Sequence, residues 1–239
     1  MELTKETREK FSQDVELSKE TLYSALHEAL TKIDRNARTF INTFPRPAST
    51  DYVYPGILNA GEWDDWTSGF WTGILWLAYE ITGEKRYRKV ASFQTKSYDE
   101  RITNKVAVNH HDLGFLYTPS VVADYKITGS NLAKEAGIKA ATHLMGRFKE
   151  KGQFIQAWGE LDDPTAYRLI IDCNLNVPLL FWATEATGFI YPEAMEAIRF
   201  AFDKYPAYCY KLTGGQLPFG CHSWYKRKMK KFWQPIIHF

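Results

Sequence analysis

Two aspartates stand where acid–base chemistry could be done. Asp112 lies in the run Asn109-His110-His111-Asp112-Leu113-Gly114-Phe115, and Asp172 in Ile170-Ile171-Asp172-Cys173-Asn174-Leu175-Asn176. Each carboxylate has apolar neighbours and opens a helical segment that ends at a Thr-Gly pair. Asp112 precedes Thr128-Gly129, and Asp172 precedes Thr187-Gly188, at nearly the same interval along the chain. Equivalent placement in a repeated unit can aim both acids at one pocket. Cleaving a glycoside calls for a proton donor near a centre with oxocarbenium character and a second carboxylate that stabilises charge, attacks, or orients water. Burial would raise an aspartic acid's pKa and keep its proton available, whereas a positive neighbour would hold it ionised. The competing reading is that each aspartate is an ordinary helix N-cap, accepting backbone N–H bonds.

The residues around the acids narrow the chemistry. His110 and His111 do not read as a metal site, because adjacent side chains point apart and no third ligand follows at a useful spacing. A histidine that binds substrate or orients Asp112 fits better, beside a purely structural one. Trp63-Asp64-Asp65-Trp66 opens the first repeat at the position that Asp112 and Asp172 hold in the later two, and Gln156-Ala157-Trp158-Gly159 falls in the connection before the third. Apolar sugar faces stack on aromatic rings, so Trp66 and Trp158 are candidate platforms, while Trp71 and Trp76 read as core. Packing of those two loop rings on the body is the structural alternative. No G-x-S-x-G elbow, Walker loop or G-x-G-x-x-G fingerprint is present, which leaves serine hydrolysis, nucleotide hydrolysis and hydride transfer without support.

The elements that must position these residues are helical, and the fold class is all-α. Leu22, Leu26, Leu30 and Ile33 recur at spacings of three and four, predicting an amphipathic helix from about residue 8 to 36. Pro45, Pro47, Pro55 and Gly56 then mark a loop. Three helix pairs follow. Their first members run over about 67–81, 113–127 and 174–186 and are the more apolar; each stops at Thr-Gly before a charged second helix, the last starting near Pro192. Apolar first helices and one-sided second helices suggest inner and outer layers. The stops at Thr82, Thr128 and Thr187 are unevenly spaced. Such repeats suit a solenoid or a closed toroid, and the long Trp-bearing connections favour the toroid.

Bulk properties exclude other classes. The chain has 239 residues, 45% of them hydrophobic, enough to bury a core. The formal charge of +2 includes five positive residues in one run, Lys226, Arg227, Lys228, Lys230 and Lys231. The rest is near −3, so no general basic field points to nucleic acid. Cys173, Cys209 and Cys221 are an odd number without C-x-x-C spacing, which suits reduced thiols in a cytoplasm rather than a disulfide framework or zinc. No stretch reaches the roughly 18 apolar residues of a membrane span, and no export signal is visible.

With these motifs in place, the sequence resembles the unsaturated glucuronyl hydrolases, glycoside hydrolase family 88. The resemblance covers roughly residues 10 to 210 and rests on Trp63 to Trp71, the His-His-Asp-Leu-Gly-Phe segment, Gln156-Ala157-Trp158-Gly159 and Ile171-Asp172-Cys173. It implies an (α/α)6 barrel and a cytoplasmic enzyme that needs no metal or organic cofactor. The implied substrate is an unsaturated glycosaminoglycan disaccharide, of chondroitin or hyaluronan type, bearing a 4,5-unsaturated uronic acid left by a polysaccharide lyase. The implied reaction begins by hydrating the vinyl ether. By position, Asp172 matches the family's proton donor and Asp112 its other essential carboxylate, while Trp66, His111 and Trp158 match residues lining the sugar site.

The departures from the family are equally specific. Further helix pairs and a His-Gln-Gly segment with a Trp-rich, Arg-bearing stretch are expected after Gly215, and nothing like them follows. The division expected is the N-terminal half of a barrel over 1–215 and an aberrant basic and aromatic tail over 216–239, as a frameshift would produce. An unclosed ring would expose its inner apolar layer, which implies self-association and little activity from this chain alone. The alternatives are a non-catalytic α/α fragment with at most weak sugar binding, and an unsaturated rhamnogalacturonyl hydrolase.

Overall fold

Three Thr-Gly stops divide the chain. At Thr82, Thr128 and Thr187 the hydroxyl donates to the carbonyl four residues back, at 2.6, 2.8 and 2.7 Å. The following Gly83, Gly129 and Gly188 turn left-handed, with φ of 70°, 73° and 67°. Their N–H groups close on Tyr79, Tyr125 and Thr184. A residue without Cβ makes that turn at little steric cost, so each helix ends where the sequence places its glycine.

The computed structural model describes residues 17–57 and 66–188, apart from 153, 164 and 171. Helix α1 spans Lys19–Thr39 and is capped by the Ser18 side chain. Two-residue strands β1 (Phe44–Pro45) and β2 (Gly56–Ile57) pair antiparallel across the proline loop. Helices α2 (Ser68–Thr82) and α3 (Lys85–Thr103) form the first pair. The next inner segment comprises α4 (Leu113–Tyr117), a π-helical turn at Thr118–Val122 and α5 (Ala123–Thr128), and α6 (Asn131–Met145) returns from it. A small hairpin of β3 (Phe148–Lys149) and β4 (Phe154–Ile155) precedes α7 (Cys173–Asn176) and α8 (Pro178–Thr187).

Two helices expected to be continuous are interrupted, both at proline. Pro119 has no N–H to continue the ladder, and the chain passes through a π turn there. Pro178 likewise separates α7 from α8. The second helix of the third pair, expected near Pro192, lies outside the described residues, as do Trp63 to Asp65 and the 216–239 tail.

The packing is that of paired helices in two layers. α2 packs on α3 and on the α4–α5 rod, α3 packs on α6, and α6 packs on α8. Trp71, Leu75, Trp76, Tyr87, Tyr98, Leu113, Tyr117, Leu144 and Leu180 are buried in one continuous core, as read for Trp71 and Trp76. Buried polar links join the layers: Thr72 donates to Gln94 at 2.8 Å, and Gln94 donates to the Phe40 carbonyl at 3.0 Å. Phe70, Ile74, Leu77 and Ile81 leave one apolar stripe of α2 exposed.

The inner segments meet backbone to backbone at their N-terminal ends. A Cβ on Gly69 would lie 2.2 Å from the Phe115 carbonyl oxygen, and one on Gly114 would lie 2.1 Å from the Asn176 Cα. Only hydrogen fits in these positions, and the approach draws the starts of α2, α4 and α7 together. Gly114→Ala is therefore expected to lose about 3 kcal/mol or more in urea unfolding. Gly83→Ala, with nothing within 4 Å of the added carbon, should lose only the left-handed strain of about 1–2 kcal/mol. Equal losses would contradict the close packing at Gly114.

Candidate active site

The loop carrying the histidines is held by short backbone pairing. His111 N–H donates to Ala157 O at 2.7 Å, His110 forms a bridge with Trp158, and Ala157 N–H donates to Arg168 O at 2.8 Å. Buried Arg147 fastens this layer from behind, donating to Gln156 O at 2.8 Å, to Gly159 O at 3.0 Å and to the Asn109 side-chain oxygen. Gln156, also buried, spreads its amide over the carbonyls of Trp158, Gly159 and Glu160 at 3.0–3.1 Å. These contacts fix the backbone from which His111 and Asp112 project.

Both aspartates occupy the N-cap position of a helix, α4 for Asp112 and α7 for Asp172, yet neither side chain makes a capping bond. The N-cap reading is thereby overturned, and for Asp112 the reason is Asn176. Its Oδ1 accepts the Phe115 N–H at 2.8 Å, the bond an N-cap side chain would normally take. Its Nδ2 donates to Asp172 O at 3.3 Å and reaches Asp112 Oδ1 at 3.5 Å. One buried amide thus caps α4 from another segment and frees the Asp112 carboxylate.

The free carboxylates converge on His111. Its Nε2 lies 3.4 Å from Asp112 Oδ1 and 3.3 Å from Asp172 Oδ1. The imidazole is fully buried, while the two carboxylate side chains are 17% and 35% exposed. The acids therefore form the reachable surface and His111 the floor beneath them. His110 acts differently: its Nε2 is 2.9 Å from Ala107 O and its Nδ1 accepts the Asp112 N–H at 3.1 Å. It orients the backbone of Asp112.

Electrostatics separate the groups. Burial drives the His111 imidazole down to about 4, opposed by the Asp112 charge and assisted by His110 and Arg147. Burial, and then the Asp112 charge, raises the Asp172 carboxyl above its ordinary value, against the backbone N–H groups of Asp172 and Cys173. The buried Cys173 thiol is pushed up to about 12 by burial and by both carboxylates, which makes it a poor nucleophile. The site offers a neutral imidazole, a carboxyl inclined to hold a proton, and a second carboxylate beside it.

The two tryptophans flank this centre through their neighbours. Trp66 is 44% exposed and packs on Phe70 and Phe115, with centroids 6.2 and 5.5 Å away. Trp158 is 43% exposed, paired to the histidine loop, with the Arg168 guanidinium 5.8 Å from its ring centroid. His111, expected to line the sugar surface, is instead enclosed behind the acids, because the 110–111 backbone is paired into the 157–158 layer. Asn176 and Arg147 are positioning residues that spacing along the chain does not reveal. The only sequence signal for Asn176 is a polar residue one helical turn after Asp172, and for Arg147 a single charge after a helix.

The chain is similar in sequence and in fold to known proteins. Residues 177–222 match a family described as protein of unknown function (DUF5672), too small a part of the chain to assign it. The chain is 46% identical over 180 residues to the unsaturated chondroitin disaccharide hydrolase of Streptococcus pneumoniae, covering 75% of this chain and 44% of that protein. Against the Bacillus sp. GL1 unsaturated glucuronyl hydrolase it is 42% identical over 165 residues, covering 69% and 43%. The crystal structure of unsaturated glucuronyl hydrolase from Streptococcus agalactiae superposes with a TM-score of 0.75 at 44% identity, covering 84% of this chain and 49% of that one. An aspartate-to-asparagine mutant of that enzyme, solved with dGlcA-GalNAc6S, superposes with a TM-score of 0.66 at 37% identity, covering 84% and 46%. The chain spans about half the length of the relatives it matches, and over that span it shares their fold.

The buried imidazole should be visible in stability against pH. Unfolded, His111 takes a proton near 6.5; folded, it does so only near 4. Its contribution is therefore present above pH 6.5 and lost as pH falls from there towards 4. Asp172 acts in the opposite sense, since a raised carboxyl binds its proton first in the folded state and relieves a cost as pH falls. Urea unfolding of His111→Asn is expected to flatten the decline between pH 6.5 and 4 relative to the unaltered chain. An unchanged slope would contradict a buried neutral His111.

Proposed function

We propose that the chain, as a relative of the unsaturated glucuronyl hydrolases, carries the acid pair of a site that removes a 4,5-unsaturated uronic acid from lyase-generated glycosaminoglycan disaccharides. The observation that carries this reading is that Asp112 and Asp172, far apart in the chain, meet across one imidazole with neither spent as a helix cap. Two mutants of the Streptococcus agalactiae enzyme, each an aspartate changed to asparagine, are separated by the same interval along its chain. That spacing supports the same pair of roles here.

In this reading Asp172 delivers its proton to the double-bond carbon remote from the ring oxygen. Positive charge develops on the other alkene carbon and is shared with the ring oxygen, and the adjacent Asp112 carboxylate stabilises it. Water adds to that centre and gives its proton to the Asp172 carboxylate, restoring the acid. The hemiketal then opens and releases the neighbouring sugar. Trp66 and Trp158 offer faces on which the sugar stacks, and His111 stays neutral beneath the acids, adding no second positive charge. A cytoplasmic setting goes with this reading, supported by the odd cysteine count. Among the described residues no helix is long and apolar enough to cross a membrane.

The domain limits carry over as part of the proposal: 1–215 as the N-terminal half of an α/α barrel and 216–239 as a basic and aromatic tail. The exposed Phe70, Ile74, Leu77 and Ile81 stripe supports self-association through an apolar face. Light scattering on a sizing column is expected to show species larger than a monomer, reduced by Leu77→Glu with Ile81→Glu. A monomer at all concentrations would contradict that part.

Catalysis is tested with an unsaturated chondroitin disaccharide at high protein concentration, following loss of the ultraviolet absorbance of its conjugated double bond. Slow turnover is expected, falling by about 10²–10⁴-fold in Asp172→Asn and in Asp112→Asn while disaccharide binding persists. Turnover indifferent to both changes would contradict the assigned roles. Neither turnover nor binding would make the chain a non-catalytic α/α fragment.

A further inference from the structure

The spacing within the His111, Asp112 and Asp172 cluster is unusual for hydrogen bonding. A charge-assisted N–H to carboxylate bond closes to about 2.7–2.9 Å, whereas His111 Nε2 stands 3.4 and 3.3 Å from the two carboxylate oxygens. Both ring nitrogens of His111 and Asp172 Oδ1 are buried without a hydrogen-bond partner among the described residues. Unsatisfied buried polar atoms are costly, and His111 Nε2 and Asp172 Oδ1, 3.3 Å apart, can be satisfied by one ligand between them, whereas Nδ1 on the other side of the ring cannot share it. The two separations from His111 Nε2 match edges of a tetrahedron whose centre lies about 2.0–2.1 Å from its corners, the length of zinc–imidazole and zinc–carboxylate bonds. One donor atom from each residue lies within 4.8 Å of the others.

We propose that His111, Asp112 and Asp172 form a one-histidine, two-carboxylate site for a divalent transition metal of the zinc class. The fully buried imidazole supplies the inner ligand, and the partly exposed acids supply the entry side, where water would complete the tetrahedron. His110 stands outside the set, because its ring is taken by Ala107 O and the Asp112 N–H. Both sequence grounds against a metal fall away in the fold. The His111 and Asp112 side chains converge although adjacent, and the third ligand arrives from a distant segment of the chain. A nitrogen and two oxygens favour zinc or copper over calcium and magnesium, which ask for six or more oxygens. If the acids have the roles given under Proposed function, on which this one consequence rests, a bound metal occupies the proton donor and blocks the sugar, reversibly to a chelator.

Equilibrium dialysis and calorimetry of the chelator-treated full chain with zinc chloride alone test the site without any sugar. One zinc per chain is expected. Affinity should fall in Asp172→Asn and in Asp112→Asn by more than the ~10- to 100-fold that losing an outer-shell partner costs. Cobalt(II) should give the visible spectrum of a tetrahedral ion with the unaltered chain and not with Asp172→Asn. Thermal unfolding of each variant without metal reports whether it is folded, and zinc should raise the midpoint of the unaltered chain alone. Equal zinc affinity in the unaltered chain and the double Asp variant overturns the proposal, as does binding lost only when Cys209, Cys221 and His222 are replaced. Because no turnover is read, zinc binding without hydrolysis leaves this site standing, and hydrolysis without zinc binding removes it alone.

Discussion

The structure depends on the contact of Gly114 with Asn176. Backbone meets backbone there at a distance that admits no side-chain carbon on Gly114, and Asn176 then places its amide across the start of α4. By accepting the Phe115 N–H it performs the capping that Asp112 would otherwise perform. The same amide ties the Asp172 carbonyl and approaches the Asp112 carboxylate. Two helix starts become one surface, and their aspartates are left free to act.

From that constraint the electrostatics follow. Burial raises the cost of ionising Asp172, and the second carboxylate beside it raises the cost further. A protonated imidazole between the acids would offset this cost, but enclosure in the 157–158 layer keeps His111 neutral. Arg147 and Gln156 matter because they build that layer: their hydrogen bonds run mostly to backbone carbonyls, so they set where the loop lies and leave the reacting groups alone. The raised Asp172 carboxyl beside a second carboxylate is thus a property of the packing.

The architecture is legible where local chemistry dictates it. Thr-Gly pairs end the helices at Gly83, Gly129 and Gly188 because the left-handed turn is a local demand on one residue. Apolar periodicity finds α2, α3 and α6 for the same reason. It also runs straight through Pro119 and Pro178, where the missing N–H breaks the helix, so the breaks are lost to a reading of hydrophobicity alone. The candidate site is legible in its acids and its two tryptophans, and illegible in what arranges them. Nothing near Asn176 in the chain says that it caps a helix begun much earlier, and nothing near His111 says that it is enclosed. Adjacent side chains ordinarily diverge, yet the bend before α4 turns those of His111 and Asp112 to one point. Such relations are long-range, and spacing along the chain does not contain them.

The central claim is that Asp112 and Asp172 are electrostatic neighbours across His111. Carbon-13 NMR titration of the Asp172 carboxyl, in the unaltered chain and in Asp112→Asn, measures this directly. The account predicts an Asp172 pKa above the ordinary aspartate value that moves down when the Asp112 charge is removed. An Asp172 titration at the ordinary value, or one that does not move in Asp112→Asn, would contradict it.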